Sequence, residues 1–207
     1  MKLWTETLGC KVNTYETEVI NSEFLNSGYT LAEDVTDADV VVVNTCSVTN
    51  QSDAKSRKVI RRCKRKNPGA VIVACGCSTQ HHQDELKELG IDVLIGNKDK
   101  TKVVSYVEEF LKDHKKVSIF YDLLHSDFED MTINHYEDRT RAFVKIQDGC
   151  NNYCAYCIIP YLRGTIRNKD FDVAVKEIND LANNGFKEIV LTGIHTGSYP
   201  RLTELIK

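Results

Sequence analysis

No apolar run in the 207-residue sequence approaches the ~18–20 residues that span a bilayer, which excludes a transmembrane helix. The opening MKLWTETLGC lacks a basic segment followed by an apolar one, so secretion is not expected and the protein reads as cytoplasmic. Cysteine is too sparse for a disulfide scaffold: 8 in 207 residues is about 4%, against the ~8–10% of such chains. Thiols of an unsecreted chain stay reduced, so clustered cysteines read as metal ligands or reactive groups. Internal repeats and low-complexity segments are lacking too. What remains is globular, with 42% apolar and 28% charged residues. The length suits one domain, or one domain and part of another.

The net charge of −3 conceals a segregation. Between Lys55 and Lys66 the run KSRKVIRRCKRK carries eight basic residues and no acidic one, leaving 19 of the chain's 27 to face 30 acidic residues. A compact basic stretch on an otherwise acidic chain is a candidate nucleic-acid contact; the alternative is a solvated helix face.

Strand-like and helix-like segments rotate along the first half. Strands are predicted over residues 3–8, 40–43, 70–75 and 93–95, the second a bare valine run of the kind buried on both faces. Helices are predicted over 14–26, 50–66, 83–89 and 101–112, with Gly28, Asn67-Pro68-Gly69 and Gly90 as stops. Strict rotation gives an α/β, doubly wound parallel sheet over residues 1–112. Residues 113–139 break the rhythm and read as a linker, with one hairpin strand near 117–121. A second rotation starts at 140: a strand over 142–147, a cysteine loop, a helix over 171–183 and a strand over 188–192.

The sharpest local signal is DGCNNYCAYC, which sets Cys150, Cys154 and Cys157 three and then two residues apart. Three thiolates so close can cap three corners of a cubane iron–sulfur cluster and leave one iron open to a small molecule. Zinc or a redox thiol is the alternative for this loop. A second group is dispersed: Cys10 follows the first strand, Cys46 the valine strand, and Cys75 and Cys77 end the third. The carboxyl ends of parallel strands open on one edge, where three such cysteines can converge. Cys77 is the third member, because Cys75 continues the buried strand and Gly76 lets the chain turn. Cys63, on the basic helix, has no assigned role.

These motifs carry a resemblance. LGCKVNTYETE, NTCSV and CGCSTQ resemble the three cysteine motifs of the methylthiotransferase N-terminal domain. KIQDGCNNYCAYCIIPYLRG and LTGIHTGSY resemble the opening of the radical S-adenosylmethionine domain of the same family. The wording GCKVN with LTGIH is most similar to the branch acting on threonylcarbamoyladenosine in tRNA. Two other branches act on isopentenyladenosine in tRNA and on an aspartate of a ribosomal protein.

The resemblance implies two 4Fe–4S clusters, one on Cys150, Cys154 and Cys157 that binds S-adenosylmethionine, and an auxiliary one on Cys10, Cys46 and Cys77. Tyr156 matches a position near the adenine of S-adenosylmethionine, and Thr192 and Gly193 a segment near its methionine end. The chemistry implied is methylthiolation of carbon 2 of adenine, whose hydrogen no side-chain base removes at pH 7, so the cofactors carry the hard step. Lys55, Arg57, Lys58, Arg61 and Arg62 would contact phosphates of the tRNA anticodon arm, and Arg163 and Arg167 would do so at the rim of the cysteine loop. The other partner implied is an electron donor such as flavodoxin or ferredoxin; a monomer that binds no membrane is expected. Residues 140–207 would form only the start of a partial (β/α) barrel, so the chain is expected to be an incomplete, inactive portion of the enzyme. A non-catalytic iron–sulfur or zinc module binding RNA is the reading from another functional class.

Overall fold

The computed structural model describes residues 1–133, 136 and 140–207. Six strands form a wholly parallel sheet: β1 (Lys2–Thr7), β2 (Thr30–Leu31), β3 (Val40–Thr45), β4 (Val71–Gly76), β5 (Val93–Ile95) and β6 (Val117–Ile119). Their spatial order is β2-β1-β3-β4-β5-β6. The chain starts near one edge, steps outward, then returns to run the other way, so the reversal falls between β1 and β3. That crevice is where open parallel sheets bind ligands.

Period-two alternation explains why β3 is apolar at every early position. Val40 and Val42 pack with Ile20 and Phe24 of α1 (Lys11–Asn26) and Val103 and Val107 of α5 (Val103–Asp113). Val41 and Val43 face the opposite way, onto Val59 and Ile60 of α2 (Asn50–Lys66). Both faces are covered, and each such side chain contributes about 1.5–3 kcal/mol by leaving water. Helix α2 starts where the Thr49 hydroxyl accepts the Ser52 amide at 3.1 Å. It ends on Lys64, Arg65 and Lys66, the charge its carboxyl-terminal dipole favours.

Two short helices, α3 (Cys77–His81) and α4 (Gln83–Lys87), fill the connection between β4 and β5. The sequence patterning anticipates the second of these and misses the first. It also mistakes residues 117–119, which form the outer parallel strand beside β5 and not a hairpin in a linker. A three-residue strand is too short to show its period. Residues 134, 135 and 137–139 of the expected linker lie outside the described residues.

The second half is built on β7 (Arg141–Lys145) paired in parallel with β10 (Glu188–Thr192). Helix α7 (Phe171–Asn183) crosses between them, capped by the Asp170 carboxylate, which accepts the amides of Asp172 and Val173. A small antiparallel pair, β8 (Gln147–Asp148) with β9 (Arg167–Asn168), brackets the cysteine loop and α6 (Ile159–Arg163). The chain closes with α8 (Leu202–Leu205). A third core gathers Ala142, Val144, Ala174 and Leu181 around Tyr15 and Val19, so α1 is buried by both halves.

Candidate metal centres and the cleft between them

The carboxyl edge of the first sheet carries three cysteines. Cys10 is the residue before α1, Cys46 follows β3, and Cys77 opens α3. Gly76 makes the last placement possible. Its φ is +101°, and a Cβ there would sit 2.6 Å from both Asn44 Oδ1 and the Thr45 carbonyl oxygen. The turns carrying Cys10 and Cys46 are tied by Asn13, whose Nδ2 donates to the Leu8 carbonyl at 2.7 Å and the Thr45 carbonyl at 2.9 Å. A Cβ on Gly9 would lie 2.8 Å from Cys46 Sγ, which shows how closely the first turn passes over the second. Ser56 of α2 braces Cys46 from below, accepting its amide at 3.1 Å and donating to its carbonyl at 2.9 Å.

Burial pushes the Cys46 thiol pKa up, and Cys77 and Cys10 push in the same direction from within electrostatic reach. Among the described residues no three donors crowd close enough to hold a single ion. A cubane spreads its thiolates over separate irons, so three soft donors on three strand ends fit it better than they fit zinc. Cys75 behaves as expected of a packing residue: it is fully buried and its thiol is pushed up to about 12 by burial. Cys63 is also buried, on the core-facing side of α2.

The second trio lies in the loop after β8. Gly149 has φ +71°, and a Cβ there would collide with the Thr165 carbonyl oxygen, so this position accepts only glycine. The Cys150 amide donates to the Gly164 carbonyl at 3.0 Å, and the Cys157 amide to the Cys154 carbonyl at 2.8 Å. Cys154 is exposed, while Cys150 and Cys157 are half-buried. A residue that sequence reasoning missed organises this loop. Gln147 Nε2 donates to the carbonyls of Asp148 at 2.7 Å and Gly149 at 2.6 Å, and its Oε1 accepts the His195 amide at 2.7 Å. Gly193 closes against the same side chain, since a Cβ there would be 2.9 Å from Gln147 Cβ. Thr192, buried, and Gly193 therefore stand at the foot of the cysteine loop. The glutamine directly before DGC was the available signal.

A cleft of about 430 Å³ opens between the two loops. Ser47 and Val48, next to Cys46, form one wall; Tyr156 and Ile158, either side of Cys157, form another. Tyr156 is 92% exposed. The floor is polar. Asp53 is held by Ser78 and Arg57 and by His82 Nε2 at 3.1 Å, and His81 Nδ1 lies 3.2 Å from Ser47 Oγ. Burial and the neighbouring His82 lower the His81 pKa, so its ring is neutral near pH 7.

The predicted basic residues divide. Lys55, Lys58 and Arg61 are exposed, with no ion pair among the described residues. Arg62 is exposed but lies 3.5 Å from Glu6. Arg57 turns into the cleft and is paired with Asp53 and, at 3.7 Å, with Glu85. The two arginines expected at the loop rim require correction. Arg163 is fully buried, bound by Glu16 and Asp148 at 3.0 and 3.1 Å. Arg167 has a 9% exposed side chain and donates to the Arg163 carbonyl. Neither presents a charge to a phosphate, because carboxylates in the core hold Arg163 and Arg167 is folded back onto the Arg163 carbonyl.

Two family models match: the uncharacterized protein family UPF0004 over residues 2–96 and the radical SAM superfamily over residues 144–207. The first match contains one thiol trio and the second the other. The chain is 44% identical over 195 residues to the threonylcarbamoyladenosine tRNA methylthiotransferase MtaB of Bacillus subtilis (strain 168), covering 93% of this chain and 43% of that protein. The MtaB of Aquifex aeolicus is 38% identical, with 100% of this chain and 53% of that protein covered. The chain belongs to the radical S-adenosylmethionine methylthiotransferase family.

The chain spans about half the length of the curated relatives it matches. Family membership brings an iron–sulfur cluster and S-adenosylmethionine as cofactors. The family also includes the ribosomal protein uS12 methylthiotransferase RimO of Clostridium novyi, 32% identical over 96% of this chain and 45% of that protein. Among solved structures, the radical S-adenosylmethionine methyltransferase TsrM of Kitasatospora setae matches with a TM-score of 0.64 at 12% identity, covering 99% of this chain and 50% of that one. That likeness concerns the fold alone. No helix among the described residues is long and apolar enough to cross a membrane.

Proposed function

We propose that the protein to which this chain belongs is a tRNA methylthiotransferase acting on carbon 2 of N6-threonylcarbamoyladenosine beside the anticodon. Cys150, Cys154 and Cys157 would hold the 4Fe–4S cluster that binds S-adenosylmethionine, and Cys10, Cys46 and Cys77 a second, auxiliary cluster. When bound, these groups supply the one-electron chemistry that opens an unactivated C–H bond, and the site of sulfur transfer. The observation that supports this reading is a polar cleft whose lining includes neighbours of both trios, Ser47 and Val48 beside Cys46 and Tyr156 and Ile158 beside Cys157.

The chain's own residues position and select. Gln147 fixes the backbone of the S-adenosylmethionine loop, Thr192 and Gly193 form its foot, and Tyr156 offers an aromatic face for an adenine. Ser47, Thr49, Asn50 and the two histidines give the cleft hydrogen-bonding groups that suit a hydroxyl- and carboxylate-bearing threonyl substituent. A dimethylallyl substituent, which the related enzyme of Clostridium tetani carries in its name, would leave those groups unpaired. Lys55, Lys58 and Arg61, exposed and without an ion pair among the described residues, are cations available to the anticodon-arm backbone.

Anaerobic reconstitution with iron and sulfide, followed by nucleoside mass analysis of tRNA treated with the whole protein, tests the proposal. About eight irons per chain and a methylthiolated threonylcarbamoyladenosine are expected. Methylthiolation of dimethylallyladenosine or of the ribosomal protein would reassign the branch. Zinc without iron would leave a non-catalytic RNA-binding module.

A further inference from the structure

A buried ionic cluster joins the two halves beside the first trio. Glu16 of α1 accepts from Lys145 at 2.7 Å, from Arg163 at 3.0 Å and from Lys100. Asp148 accepts from Lys145 at 2.7 Å and Arg163 at 3.1 Å, with Arg167 at 3.9 Å. Half-buried Glu129, within electrostatic reach of Lys145 and Lys100, takes the amide and hydroxyl of Thr101, both at 3.0 Å. Among the described residues, Lys100, Lys145, Arg163 and Arg167 thus face Glu16, Asp148 and Glu129, leaving one cation in excess. Uncompensated charge in a protein interior is costly, so a further anion is called for.

Arg163 and Arg167 each keep a buried Nε without an acceptor among the described residues, and Arg163 is the one fully inside. Its Nη atoms are occupied by Glu16, Asp148 and, at 2.6 Å, Asn13 Oδ1. Burial opposes its charge, yet Asp148 and Glu16, with a smaller contribution from Cys77 within electrostatic reach, hold the guanidinium pKa well above its ordinary value. Cys77 Sγ already receives Asn97 Nδ2 at 3.5 Å, and the same amide donates at 2.8 Å to the carbonyl of Leu162, the residue before Arg163.

We infer that Asn97, which donates to the Cys77 sulfur while anchoring the turn that carries Arg163, is a positioning residue that, supported by the Arg163 charge, favours the electron-rich form of the metal group on Cys10, Cys46 and Cys77. This rests on the assignment of that trio as a cluster site. A cation and N–H donors beside a cysteinyl sulfur stabilise the reduced cluster and raise its potential.

The first trio is isolated in the 207-residue chain by replacing Cys150, Cys154 and Cys157 with alanine. After anaerobic reconstitution, iron content and a redox titration followed by electron paramagnetic resonance are measured. In this background Arg163→Gln should shift the midpoint to more negative potential, Asn97→Ala should shift it less in the same direction, and Arg163→Lys should restore most of it. Potentials unchanged in folded, iron-loaded Arg163→Gln and Asn97→Ala proteins overturn the inference. Should Arg163→Gln fail to fold, Asn97→Ala, which leaves every carboxylate–guanidinium contact in place, decides alone. A background that takes up no iron fails differently: it overturns the trio assignment and the inference together.

Discussion

Glu16→Gln removes one negative charge from the middle of the molecule while nearly keeping the shape of the side chain. Glu16 is fully buried and neutralises parts of three cations, two on the second half and one on the first. Breaking a buried ion pair from one side costs about 3–5 kcal/mol, because the abandoned partner stays in the interior. For a chain of this size, where about 1 kcal/mol moves the melting temperature by roughly 2–4 °C, the expected loss is about 6–20 °C. Urea titration should show a lower midpoint with an unchanged slope. The acid limb gives a second reading. Burial opposes charge on Glu16, yet Arg163, Lys100 and Lys145 hold its carboxyl well below the ordinary glutamate range. A carboxyl depressed in the folded state contributes stability that is complete above its unfolded pKa of about 4.3 and is lost as pH falls towards the folded value. The native protein should therefore lose stability more steeply below about pH 4 than the variant. A melting temperature within about 2 °C of the native one, with parallel acid limbs, would refute this account of the cluster.

Three further outcomes are expected. Gly149→Ala, which drives a Cβ into the Thr165 carbonyl at a positive φ, should abolish iron uptake by the second trio and spare the first, leaving about half the iron of the native protein. Cys75→Ala should leave iron content unchanged and Cys77→Ala should lower it by about half, measured by colorimetric iron assay; equal losses in both would undo the choice between them. Replacing Lys55, Lys58 and Arg61 together by alanine should weaken tRNA binding and flatten its dependence on log salt by roughly 2–3 units of slope, whereas Arg57→Ala, already paired inside the cleft, should change that slope by less than about one.

Much of this architecture was legible because it depends on patterns that survive without tertiary knowledge. The valine run announced a strand covered on both faces, and the strand-end cysteines announced a shared edge. The bounds of helix α2 were readable to the residue, since Asn67-Pro68-Gly69 stops it. What escaped were features set by partners distant in sequence. Arg163 looks like a rim arginine until Glu16, 147 residues earlier, is found beside it. Gln147 looks like an ordinary strand residue until the His195 amide closes on it. Val117–Ile119 acquires its identity from β5, which no local period reveals.

Helix α1 has one further consequence. It lends Ile20 and Phe24 to one core and Tyr15 and Val19 to the other, and it starts at Cys10. Prising the halves apart would wet that helix along its length and disturb the anchor of the first thiol. The molecule is thus built as a rivet and not as a hinge: one helix is hammered into both cores, so loosening either half works on the thiol at its head.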